Sequence, residues 1–154
     1  DYWKKDKLKK QIEFMKLNNL DMSFTAYDIL KNGQIKTKNV QKTYTYKELL
    51  KKCDIGLSTV IIKSTIINKG MFPNLKTQED YCLWLNYLRK KIVMQGLNKS
   101  LAVWRDTPNS LSSNIIQKLL DAFRVYYKYQ NKNFFVSLFG VLVLSVNKIK
   151  KIFI

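Results

Sequence analysis

The feature that most narrows the fold is a change of hydrophobic period near the start of the chain. From Lys5 to Asn19, the residues Leu8, Ile12, Met15 and Asn19 recur three or four apart with lysines opposite, the pattern of an amphipathic helix. From Asp21 to Ile29 the period drops to two. Met22, Phe24 and Ala26 fall on one side, and Ser23, Thr25 and Tyr27 on the other, as in a strand. A further β-branched run at Ser58–Ile62 reads as a buried strand, and Leu101–Trp104 as another. Together these predict an α/β fold with a mixed sheet, against which helices Lys5–Asn19 and Glu79–Lys90 pack.

Between these elements the signals are local. Asn32-Gly33 is a turn, and Gln34 to Tyr44 is polar and basic, a loop with room for one short strand. Thr45-Tyr46-Lys47-Glu48 has the form of a capping box opening a short helix through Leu49-Leu50. Ser64 to Lys69 reads as a short turn or helix. Ile92-Val93-Met94 is a strand candidate joined to Leu101–Trp104 through Gly96 to Lys99. After Pro108, Ser112 or Ser113 is the expected cap of a helix running from about Ile115 to Gln130, whose Arg124, Tyr126, Tyr127 and Tyr129 suit an interfacial surface.

The chemistry centres on Glu79-Asp80, the only adjacent pair of carboxylates in a chain with 28 Lys+Arg against 11 Asp+Glu. The pair comes after Gly70-Met71-Phe72-Pro73-Asn74 and opens a helix whose stripe is Tyr81, Trp84, Leu85 and Leu88. A carboxylate at a helix N-terminus is held ionised by the exposed N–H groups, which suits a fixed base. The competing reading is a capping box, Thr77 with Asp80, in which the acid only closes the helix end.

Several ordered motifs carry a family resemblance. Gln78-Glu79-Asp80-Tyr81-Cys82-Leu83-Trp84-Leu85 resembles the Glu-Asp-Tyr-Asp-Leu-Trp-Leu signature of family-two glycosyltransferases. Gly56-Leu57-Ser58-Thr59-Val60-Ile61-Ile62 resembles the strand before it, and Lys69-Gly70-Met71-Phe72-Pro73 the turn between. Leu101-Ala102-Val103-Trp104-Arg105-Asp106-Thr107-Pro108-Asn109-Ser110-Leu111-Ser112 resembles the family's Leu-Ala-x-Tyr-Arg segment. Asp1-Tyr2-Trp3 with Asp6-Lys7-Leu8 resembles the segment on the C-terminal side of the family's Asp-x-Asp-Asp run.

The resemblance implies an inverting enzyme of GT-A fold, working in cell-envelope polysaccharide synthesis, of which this chain is the C-terminal part. Residues 1–113 would be the acceptor-side part of the catalytic domain, and residues 114–154 a helical, membrane-surface extension. It implies Asp80 as base with Glu79 beside it, and Trp84 and Arg105 as substrate contacts. Asp1 would be a metal ligand, matching only the last position of its run. A divalent metal (Mg or Mn), a nucleotide-diphospho-sugar donor and a saccharide or lipid-linked acceptor are implied for the complete enzyme. Two positions depart from the pattern: Cys82 stands where the signature has a second acid, and Thr107 where the family has a histidine.

Charge leaves other classes open. A formal net charge of +17 predicts attraction to polyanions, whether nucleic acid, anionic lipid or phosphorylated small molecules. The alternatives are therefore a basic nucleic-acid-binding module, although no finger, RRM-type or helix-turn-helix pattern accompanies the charge, and a non-catalytic membrane-surface adaptor organised around the C-terminal apolar run. The absence of histidine excludes His-based metal sites, Ser-His-Asp triads and Cys-His dyads. Cys53 and Cys82 read as free thiols of a reducing compartment. With no signal peptide and no initiating methionine, the chain reads as a cytoplasmic piece of something longer. Phe134 to Val146 is an apolar run of thirteen residues followed by Lys148, Lys150 and Lys151. Spanning a bilayer takes about 20 residues, so the run is expected either to lie on an anionic membrane surface, peripheral on its cytoplasmic face, or to dock on the rest of the protein.

Overall fold

The computed structural model describes residues 1–67, 72–107 and 114–153, with side chains described through Ile149. The chain forms two compact units. The first comprises residues 1–44, 54–67 and 91–107 and holds a five-stranded sheet. Its strands are β1 (Tyr2–Trp3), β2 (Met22–Lys31), β3 (Gln34–Lys38), β4 (Ile61–Ile62) and β5 (Met94–Arg105), in the order β1-β5-β2-β3, with β4 also paired to β2. The β2–β5 pair is parallel and the others are antiparallel, so the sheet is mixed as the pattern predicts.

β2 is longer than its alternation suggests: it is a central strand, paired with β3, β4 and β5, and Met22 to Asp28 are buried on both of its faces. Asn32 and Gly33, with φ of 49° and 77°, supply the two left-handed positions of a tight hairpin into β3. Of the candidate Ile92–Met94 only Met94 is in a strand; it and Leu101–Trp104 fall in one strand, β5, with Ile92 and Val93 before it. Its intervening residues appear as register shifts against Thr25, Ala26 and Tyr27 instead of a loop. Ser58–Ile62 is corrected: Leu57–Thr59 is a 3₁₀ turn and only Ile61–Ile62 pairs, both half-buried. Ser64–Ile66 is a second 3₁₀ turn followed by Ile67, and residues 68 and 69 of that predicted segment lie outside the described residues.

Helix α1 (Lys7–Leu17) forms where expected but buries a different face. Lys7, Gln11 and Met15 point inward, whereas Leu8 and Ile12 stay exposed. The reason is polar. Gln11 Nε2 donates to Ser23 O, Ser23 Oγ and Thr59 O at 2.9–3.0 Å, tying the helix to β2 and to the 3₁₀ turn. Such a buried network outweighs the apolar stripe in setting the helix's rotation.

The second unit comprises residues 45–53, 72–90 and 114–153 and is helical: α2 (Tyr46–Leu49), α3 (Glu79–Arg89), α4 (Ile115–Arg124) and α5 (Phe134–Phe153). The Thr45–Glu48 capping box is present in both directions. α4 is capped by Asn114, whose side chain accepts from Gln117 N–H, while Ser112 and Ser113 lie outside the described residues. The α-helical hydrogen bonding ends at Arg124 and continues as a π-helical turn, Val125–Tyr129. Ala122, Tyr126 and Val141 form a small core with Leu50, Phe123 and Leu144. Tyr126 is thus an inward residue, in contrast to the interfacial role predicted for it.

Candidate active site at the start of helix α3

Helix α3 is fixed in its unit through Tyr81. The Tyr81 hydroxyl lies 3.1 Å from both Leu49 O and Leu50 O and 3.2 Å from the Tyr126 hydroxyl, which itself donates to Leu50 O. Burial pushes the Tyr126 phenol up to about 12, against the opposing hydrogen bond with Tyr81. The Tyr81 phenol moves in the same direction, so both are neutral clamps. Downstream, Gln130 bridges Tyr46 Oη and Asn86 Oδ1 at 2.9 Å each, holding α2, α3 and the π-helical turn together.

The residue before the acid pair, Gln78, occupies the left-handed region at φ 65° and makes no side-chain cap. A non-glycine residue there is strained by roughly 1 kcal/mol. The predicted Thr77–Asp80 capping box does not form. Thr77 donates both its N–H and its hydroxyl to Asp121 Oδ2, each at 3.0 Å. Asp80 Oδ1 accepts from Tyr81 N–H at 2.7 Å. The carboxyl is half-buried, and this burial raises it to about 6, with the charge of Glu79 adding to the rise and the Tyr81 N–H opposing it. Sequence reasoning expects the helix terminus to hold Asp80 ionised; desolvation outweighs that effect. A carboxylate near 6 is a stronger base than an ordinary aspartate and remains mostly ionised at neutral pH.

The other predicted site residues fall in different surroundings. Glu79 is half-buried beside Asp80. Trp84 lies one turn along α3 and is fully buried, its ring 6.1 Å from that of Tyr87, so its indole packs in the interior instead of offering an exposed contact. Cys82, where the resemblance expects an acid, is a buried thiol pushed up to about 11 by burial, which Gln130 only partly offsets, and it supplies no charge at neutral pH. Asp1 and Arg105 belong to the first unit, where Asp1 Oδ1 accepts from the Arg105 backbone N–H at 3.2 Å and the Arg105 side chain is exposed.

Among the described residues no three His, Cys, Asp or Glu side chains gather as a metal site. Asp121 escapes a reading of the sequence. Spaced three residues from Arg124, it looks like one half of a solvated helix pair, although its place beside Ala122 and Val125 on the inward stripe is a readable signal.

Over 154 residues the chain is 33% identical to TuaG of Bacillus subtilis (strain 168), a glycosyltransferase assigned to teichuronic acid biosynthesis; the match covers 98% of this chain and 61% of TuaG. This chain is a homologue of bacterial glycosyltransferases. Two Escherichia coli relatives, WfgD and WfaP, are UDP-Glc:α-D-GlcNAc-diphosphoundecaprenol β-1,3-glucosyltransferases. They are 35% and 34% identical over 77% and 78% of this chain, and 47% and 48% of their own lengths. The glycosyltransferase homologue therefore spans about half to three-fifths of the curated relatives it matches. No protein-family model and no solved structure matches it.

Proposed function

We propose that this chain is the C-terminal, base-bearing part of a family-two, inverting glycosyltransferase of GT-A fold, with residues 1–113 on the acceptor side of the catalytic domain. The donor is a nucleotide-diphospho-sugar and the acceptor a hydroxyl of a saccharide or lipid-linked saccharide. The observation that carries this reading is Asp80: a half-buried carboxylate raised to about 6, behind a strained Gln78, at the first turn of a helix anchored by Tyr81. The E. coli relatives are named for a β-1,3 product from UDP-glucose. The anomeric bond of that donor is α, and the change of configuration supports inversion.

In the proposed reaction the Asp80 carboxylate takes the acceptor hydroxyl proton as the hydroxyl oxygen bonds to the anomeric carbon. The bond from that carbon to the diphosphate oxygen breaks, and the nucleoside diphosphate leaves with the electron pair. Glu79 orients the acceptor or the base, and Arg105 contacts diphosphate or acceptor. A divalent cation would neutralise the departing diphosphate; this chain offers Asp1 toward it, and the remaining ligands would come from elsewhere in the whole protein. The enzyme is proposed to work peripherally on the cytoplasmic face of the membrane.

The test is release of nucleoside diphosphate by the full-length enzyme from a UDP-sugar in the presence of a diphosphoprenol-linked acceptor, with anomeric configuration of the product read by NMR. A β product dependent on Asp80 supports the reading. Absence of transfer with any nucleotide sugar, or retention of configuration, would overturn it.

A further inference from the structure

We propose that α4 and α5 together form a docking surface that lies flat on an anionic lipid bilayer. This deepens the proposed function by saying how the enzyme meets a lipid-linked acceptor, and it rests on that reading only for the acceptor.

Surface helices normally turn their apolar stripe inward and their polar face out. Here the arrangement is inverted. On α4 the inward residues include the fully buried Asp121, while Ile115 and Ile116 are 70% and 72% exposed and Leu119 and Leu120 are exposed beside them. On α5 the inward stripe is Ser137, Gly140 and Val141, small or polar residues that let the helix approach Tyr126. Its outward stripe is Phe135, Leu138, Phe139, Leu142, Val146 and Ile149, with Phe135 80% and Phe139 66% exposed. The stripes are joined by an aromatic band: Phe123 stacks on Tyr127 at 5.5 Å and meets Phe134 edge-on at 5.5 Å, and Phe134 meets Phe135 at 5.7 Å. An exposed apolar area of this kind, continuous over two helices, marks an interaction site.

Charge identifies the occupant. From residue 114 to 149 the basic residues are Lys118, Arg124, Lys128, Lys132 and Lys148, and the sole acid, Asp121, faces inward. Arg124 is paired with Asp121, so the charge these helices present outward is the basic charge of the lysines beside an apolar surface, complementary to acyl chains beneath anionic headgroups. A second copy would set one +17 chain against another and repel it. No helix among the described residues is long and apolar enough to cross a membrane, so the helices lie in the interface plane.

The experiment is co-sedimentation of the full-length enzyme with phosphatidylcholine vesicles, with and without phosphatidylglycerol. Wild type should sediment with the anionic vesicles, and high salt should release it only in part. Phe135→Glu with Phe139→Glu should weaken partitioning roughly tenfold or more, with thermal midpoint and oligomeric state unchanged; Ile116→Glu on α4 should weaken it independently. Turnover of a water-soluble acceptor should be unaffected by these changes. If wild type stays in the supernatant, if the variants sediment like wild type, or if the substitutions instead dissociate a dimer, the docking surface is refuted. Vesicle binding that persists in an enzyme showing no sugar transfer would refute the proposed function alone.

Discussion

The Thr77 hydroxyl donates to Asp121 Oδ2 at 3.0 Å across 44 residues of chain, and so takes no part in capping Asp80. Asp121 is fully buried and also accepts from Thr77 N–H, Gln117 Nε2 and Arg124 Nη1. It ties the lead-in of α3 to α4 in place of a local cap.

Asp121→Ala should therefore be among the more damaging substitutions in the second unit. It strands the Thr77 N–H and hydroxyl in a dry site, at about 1–3 kcal/mol per unsatisfied group. Thr77→Ala, which loses one bond, should cost about 1 kcal/mol. Burial pushes the Asp121 carboxyl up, but Gln117, Thr77 and Arg124 together outweigh it and leave the group below its usual range. The unfolded chain then binds the proton more readily, so this stability is present above about pH 4 and is lost as pH falls through the lower folded value. Denaturant midpoints at pH 7 and pH 3 should converge between wild type and Asp121→Asn at the acid end.

Gly96 sits in β5 where a side chain has no room. A Cβ there would lie 2.3 Å from Gln41 O and 2.6 Å from the Phe24 ring, and the Gly96 N–H already donates to Lys42 O at 2.8 Å. Backbone cannot retreat as a flexible side chain can, so Gly96→Ala should destabilise by about 3 kcal/mol or more. Gly33→Ala, open but at φ 77°, should cost about 1 kcal/mol through backbone strain. A thermal scan in which Gly96→Ala melts like wild type would contradict the packing described for β5.

Lys7 is a buried ammonium with no hydrogen-bond acceptor among the described residues, lying 4.2 Å from the centre of the Trp3 ring. Burial lowers it to about 8. Between about pH 8 and the ordinary lysine value near 10.4, the unfolded chain holds the proton and the folded chain does not, so stability rises with pH across that window. Lys7→Met keeps the stem and removes the charge. It should raise the melting temperature at pH 7 and converge with wild type near pH 10.5. An unchanged difference at both pH values would show that the ammonium carries no desolvation cost.

How much of this was legible depended on where side-chain period alone decides the outcome. The helix from Lys7, the strand from Met22, the Asn32-Gly33 hairpin and the Thr45–Glu48 box follow from local pattern. The rotation of α1 did not, because it is set by Gln11 reaching Ser23 and Thr59, partners 12 and 48 residues away. β5 reads as two strands because Gly96 to Lys99 looks like a turn, whereas the parallel pairing with β2 absorbs those residues as register shifts. At the site, the Glu79-Asp80 pair and the motif around it were readable. The loss of the cap to Asp121 depends on a residue brought in from α4, and the burial that raises Asp80 is a property of the folded packing that no local pattern shows.

Asp80→Asn separates a base from a structural acid. In the full-length enzyme, loss of a positioned base costs about 10² to 10⁴ in rate, while Asn Oδ1 can still accept from Tyr81 N–H. Because burial raises the folded carboxyl to about 6, above the unfolded value near 3.9, the folded chain holds the proton more tightly between those values. Stability therefore falls as pH rises from about 4 to 6, and the cost is fully present at pH 7. Asp80→Asn removes it, so the variant should be more stable than wild type at pH 7 by on the order of 1–3 kcal/mol, with the gain disappearing below pH 4. The wild-type rate should rise through an apparent pKa near 6, and donor binding should be unchanged in the variant. A variant that transfers sugar at near wild-type rate would remove Asp80 from the mechanism. One that is less stable at pH 7 would instead make it a structural acid of α3.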